Sequence, residues 1–141
     1  MGLLNRLFAH SRGSPRRAAI LELAFVMPAV ALFLVGLVGW TGYFILAGQV
    51  QKLADDALLA AVVTPYPRER QDLARAMAAM SLKHSSLAPA PMDLMVVTRG
   101  DRITVQLVYD ASETPLFALA RLMPMPSPTI VRLASLPSRG D

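Results

Sequence analysis

Cysteine is absent from the 141-residue chain, which excludes a disulfide framework, a thiolate nucleophile and any cysteine-ligated metal centre. Histidine is almost absent. Its two copies, His10 and His84, stand far apart, so local sequence offers neither a two-histidine metal motif nor a histidine base beside a nucleophile. No glycine-rich loop of phosphate-cradling pattern occurs. Acidic residues are missing from the front of the chain, where Glu22 is the only one among residues 1–54. Asp55 and Asp56 are adjacent, so on a helix they point about 100° apart and read as a solvated face rather than a pair of working carboxylates. With these gaps no catalytic site can be filled. The expectation is a protein that is not an enzyme and uses no cofactor, metal or small-molecule substrate.

What is present is apolar. Such residues make up 54% of the chain against 17% charged, which rules out wholesale disorder and directs attention to a membrane segment. The net charge of +4 lies wholly in the first residues, where Arg6, Arg12, Arg16 and Arg17 are unaccompanied by acid. Beyond residue 17 the charges balance. A nucleic-acid-binding domain needs its basic excess on the part that docks, so no nucleic-acid partner is expected. Met77, Met80, Met92, Met95, Met123 and Met125 sit at helix-face, strand and linker positions, and they read as core filling rather than soft-metal ligands.

From Leu23 to Ala47 there are 25 consecutive residues without a formal charge. As a helix they rise about 37 Å, enough for a hydrocarbon core of roughly 30 Å, whereas a cleaved secretory signal has an apolar region of only about 7–15 residues. The run therefore reads as a retained anchor. Arginines precede it, while Lys52, Asp55 and Asp56 follow it, so the tail is expected in the cytoplasm and residues 49–141 on the exported side. Trp40 and Tyr43 lie toward that exported end and suit either the membrane interface or packing against another helix. Pro28 removes a backbone donor and is expected to bend the helix near its start. Gly36, Gly39 and Gly42 recur every three residues and offer a face for helix packing. Glu22 suits a first-turn acid favoured by the helix dipole or a carboxylate awaiting a partner.

The helix is predicted to continue past the membrane. Val50, Leu53, Ala54, Ala57, Leu58, Ala61 and Val62 form one apolar stripe, and the helix should stop before Thr64-Pro65-Tyr66-Pro67. A second helix fits residues 68–84, with Leu73, Ala76, Met77 and Met80 on one face and Lys83 and His84 at its end. The period then changes to two. Leu94–Thr98 and Ile103–Tyr109 read as a hairpin turned at Arg99-Gly100-Asp101, and Ile130–Leu136 as a last strand. Between them Thr114-Pro115 resembles an N-cap and first position, opening a short helix to about Met123. The fold class expected is α+β, with three parts: a basic tail or leader over 1–17, a transmembrane helix over 18–48, and a small exported domain over 49–141 carrying a second helix and about three antiparallel strands.

The string Arg17-Ala18-Ala19-Ile20-Leu21-Glu22-Leu23-Ala24-Phe25-Val26-Met27-Pro28 resembles the opening of the TadE-like family, the pseudopilin-type proteins of tight adherence (Flp pilus) machinery. Glu22, Ala24 and Pro28 occupy the family's places, and the extension Gln49–Ala57 and the strand ending Val105–Tyr109 fit its plan. The resemblance implies a pilin-like accessory protein of the bacterial inner membrane, single-pass with its C-terminal domain in the periplasm. Its implied partners are the membrane, sibling subunits and the assembly platform. It also implies that Glu22 is the assembly contact, counterpart of the acid five places after the prepilin peptidase cut. That cut would fall between Arg17 and Ala18, but arginine stands where the family commonly has glycine, so the first 17 residues are expected to be retained. The alternative reading is a membrane-anchored periplasmic interaction module unrelated to pili.

Overall fold

A computed structural model describes residues 15–138, so most of the basic tail, with His10, lies outside the described residues. The order of elements is α1 (Pro15–Val63), α2 (Pro67–His84), β1 (Met92–Arg99), β2 (Arg102–Asp110), a 3₁₀ helix (Pro115–Arg121) and β3 (Thr129–Pro137). The chain divides into two compact units at Val38 and Gly39.

The first unit is the N-terminal stretch of α1. Ile20, Leu23, Phe25, Leu32, Phe33 and Leu37 are all exposed, and such residues occur on every side of the helix. A helix that is apolar all round needs an apolar surrounding. α1 is long and apolar enough to cross a membrane and lies near the N-terminus. It runs through Pro28 as a single helix, although Pro28 has no N–H to give the Ala24 carbonyl.

The second unit, from Gly39, is an α+β domain built on the later turns of α1. Val50, Leu53, Ala54, Ala57, Leu58 and Ala61 are buried, as the heptad-like spacing predicts, and Val62 packs at the margin of the same core. Against this stripe lies a three-stranded antiparallel sheet in the order β1-β2-β3. β2 is central and alternates faithfully. Ile103, Val105, Leu107 and Tyr109 point into the core, while Thr104, Gln106 and Val108 lie half-buried on the other face. The register aligns Leu94, Leu107 and Arg132 in one row and Val96, Val105 and Ala134 in the next. A one-residue slip would turn every buried strand residue outward. The β1–β2 turn is made by Gly100 and Asp101, and Gly100 adopts φ 55°, the sign that the first position of a II′ hairpin turn requires.

Two expectations are corrected. Met77, Met80 and Met95, expected to fill the core, are exposed; the first two lie with Leu73 and Ala76 on the outer face of α2, whose buried residues are Ala74 and Ala78. Gln71 explains the rotation. Its amide donates to the Leu94 carbonyl at 2.6 Å and accepts from the Val96 N–H at 2.8 Å, closing the free edge of β1 as a neighbouring strand would. With Gln71 turned to the sheet, Ala74 and Ala78 follow on the same side, and their small side chains let the helix lie close. The other concerns Thr114, which with Pro115 opens a short helix as expected, of 3₁₀ type, but whose side chain makes no cap. The Thr114 hydroxyl donates to the Ala111 carbonyl at 2.7 Å instead, and Pro124, Pro126 and Pro128 prevent further winding.

Loop anchors complete the domain. Arg70 donates to the carbonyls of Thr64 and Pro65 at 2.7 and 3.3 Å and to Thr98 Oγ1 at 3.4 Å, tying the interhelical turn to β1.

Candidate interaction surfaces

The assembly and helix-packing residues singled out in the sequence fall on two surfaces, and the structure adds a third. Arg17 and Ala18 lie in the first turn of α1, and Arg17 is exposed. Glu22 follows about two turns into the same helix, so it is not the first-turn acid that the dipole would favour, and it is exposed among Leu21, Leu23 and Phe25. A carboxylate in such company is poorly hydrated once the helix enters an apolar medium, which gives it a use for a cationic partner.

The glycines form the second surface, and here the chain supplies its own neighbour. A Cβ on Gly39 would lie 3.3 Å from the sulfurs of Met123 and Met125, and one on Gly42 would lie 2.8 Å from Leu116 Cδ1. The close approach that Gly39 and Gly42 permit is thus to the 3₁₀ helix and the proline-rich stretch after it. At Gly36 a Cβ would meet nothing within 4 Å among the described residues. Tyr43 joins the contact edge-on to Phe117, with ring centroids 6.5 Å apart, whereas Trp40 stays exposed. Because a leucine has no room beside Leu116, Gly42→Leu should destabilise the second unit by about 1–3 kcal/mol. Gly42→Ala should change it by less than about 1 kcal/mol, because the tip of Leu116 can yield and alanine favours helix. Thermal melts of the detergent-solubilised chain followed by near-ultraviolet circular dichroism would check the pair.

The third surface was not foreseen in the sequence. Leu59, Val63, Met77 and Met80 are exposed, and Leu59, Val63 and Met77 line a groove between α1 and α2 with Asp56, Ala60 and Ser81. The signal existed. The apolar spacing of Leu73, Met77 and Met80 is real, but it marks an outer face rather than the core.

Among the described residues no buried side-chain nitrogen or oxygen lacks a hydrogen-bond partner. Asp56 accepts from Ser81 Oγ at 2.9 Å and Asp55 from Gln51 Nε2 at 3.0 Å, so the adjacent carboxylates serve different partners. Gln51 also reaches the Leu133 carbonyl on β3 at 3.4 Å, and His84 Nδ1 lies 2.8 Å from the Met80 carbonyl. Asp110 accepts from the Ser112 N–H at 2.9 Å, which holds its carboxyl below the usual carboxylate range. Tyr109 donates its hydroxyl to the Ala88 carbonyl at 2.7 Å, and burial pushes its phenol up, with the Asp110 charge adding to the effect. Among the described residues no group of three or more histidines, aspartates or glutamates is placed to hold a metal ion.

No known family, no curated protein and no solved structure matches the chain.

Proposed function

We propose that this chain is a pilin-like accessory protein of a tight-adherence type pilus or a related secretion assembly, anchored in the inner membrane and working through helix and domain contacts. The observation that carries the reading is the division of labour along α1. Its N-terminal stretch is apolar and exposed on every side, while its later turns form the core of a small antiparallel-sheet domain. Such a chain can place an apolar helix in lipid and carry a folded module on the same polypeptide. The opening from Arg17 to Pro28, with Glu22 set in the apolar stretch, adds a charge whose natural use is pairing with a neighbouring subunit. The exposed stripe of Leu59, Val63, Met77 and Met80 gives the domain an apolar face suited to a protein partner.

The orientation has a direct test. An alkaline phosphatase fusion after Leu136 should be active, because the basic flank holds the N-terminus inside. A fusion there that reports a cytoplasmic location would overturn the topology. For the assembly itself, cross-linking in native membranes followed by capture of the tagged chain should recover proteins sharing the Glu-x-Ala and proline pattern. Recovery of none, with pilus yield unchanged when the chain is deleted, would overturn the reading.

A further inference from the structure

Residues 114–128 carry a single charge, Arg121, and no acid. The inward side chains of this segment pack on Gly39, Gly42 and Tyr43, and those three residues lie within the charge-free run from Leu23 to Gln51. About 20 helical residues cover a hydrocarbon core of roughly 30 Å, so a bilayer entered at Leu23 is left at about the level of Gly42. The 3₁₀ helix is therefore held where acyl chains give way to headgroups. Its outward side fits that place. Ala118, Ala120 and Arg121 are exposed, Leu122 is 67% exposed, and Trp40 is exposed at the same level of α1.

We infer that Leu122, Arg121 and Trp40 form a membrane-seating surface, by which the exported domain rests in the headgroup region of the bilayer rather than standing clear of it on its helix. The inference rests on the membrane-anchor reading. Lipid is the occupant for two reasons. Trp40 belongs to the charge-free run of α1, and Gly39 and Gly42 of that run carry the segment that holds Arg121 and Leu122, so lipid that takes up the end of the run reaches this surface. Its one charge is also basic, on a side chain whose stem can lie along acyl chains while the guanidinium reaches lipid phosphate. Tryptophan favours the same boundary. An amphipathic element of this kind sinks about 5–10 Å into the interface.

The absence of cysteine makes the test simple, because any introduced thiol is the only one. Full-length Leu122→Cys, Val30→Cys and Glu69→Cys variants would each carry an environment-sensitive fluorophore. They would be reconstituted into phosphatidylcholine vesicles containing a minority of phosphatidylglycerol, with and without lipids bearing a nitroxide high on the acyl chain. Val30 reports the span. Glu69, at the start of α2 and beyond the end of α1, reports the part of the domain away from the membrane. The label at Leu122 should be blue-shifted and quenched roughly threefold or more beyond the label at Glu69. Quenching at Val30 but not at Leu122 would overturn this inference and leave the anchor standing. No quenching at Val30 would overturn the anchor, and this inference with it. A blue-shifted but unquenched label at Leu122 that responds to the protein-to-lipid ratio would assign the surface to a second protein chain, and would equally overturn the inference.

Discussion

Replacing Tyr109 with alanine is expected to lower the stability of the α+β domain by about 3–5 kcal/mol, as for other large aromatic truncations in a packed core. Tyr109 is fully buried on the central strand, aligned with Met92 on β1 and Ile130 on β3, so neither edge of the sheet can collapse into the space it leaves. Small domains are stable by roughly 5–15 kcal/mol in all, so this one change removes a large share. Tyr109→Phe separates the two contributions. It keeps the ring and loses only the 2.7 Å bond to the Ala88 carbonyl, and it should cost about 0.5–1.5 kcal/mol.

The two variants also part company with pH. The folded-state phenol titrates above its unfolded value, because burial and the Asp110 charge disfavour the phenolate. Its contribution is therefore complete below the ordinary tyrosine pKa and is lost as pH rises through the folded value. Wild type should lose stability in that alkaline window, and Tyr109→Phe should lack this part of the loss. Chemical denaturation of the detergent-solubilised chain, followed by near-ultraviolet circular dichroism, measures both effects. An alanine variant within about 1 kcal/mol of wild type would show that Tyr109 is not a core anchor.

Much of this architecture could be read from spacing because the elements are governed by burial on one face. The stripe from Val50 to Ala61 has the helical period, and the alternation from Ile103 to Tyr109 has the strand period. Both patterns are local properties of the chain. The rotation of α2 was not legible, because it depends on Gln71 reaching the edge of β1, a pairing between residues far apart in sequence. Hydrophobic spacing alone picked the face with Leu73, Met77 and Met80, and missed that two alanines permit a closer approach on the other side. The glycines were legible as points of close approach. What approaches Gly39 and Gly42 was not, since Leu116, Met123 and Met125 come from a segment many residues downstream.

Glu22 is expected to matter for assembly and not for insertion. An ionised side chain at the centre of a span costs about 2.5–3.5 kcal/mol on insertion scales and less near the interface, so Glu22→Ala should enter the membrane at least as well as wild type. Its loss is felt elsewhere. In the proposed assembly the carboxylate pairs with an amine or guanidinium of a neighbouring subunit in a poorly hydrated place. Truncating one side of such a pair strands the other charge and costs about 3–5 kcal/mol, at least roughly a hundredfold in the association equilibrium. Glu22→Gln keeps the shape and some hydrogen bonding but not the charge, so its defect should be equal or smaller. Glu22→Asp keeps the charge on a shorter stem and should retain more assembly than alanine. The measurement is co-purification with sibling subunits, and surface pilus yield, at matched membrane levels of each variant. Normal assembly by both the alanine and glutamine variants would instead leave Glu22 as an exposed acid of α1 with no partner across the subunit boundary.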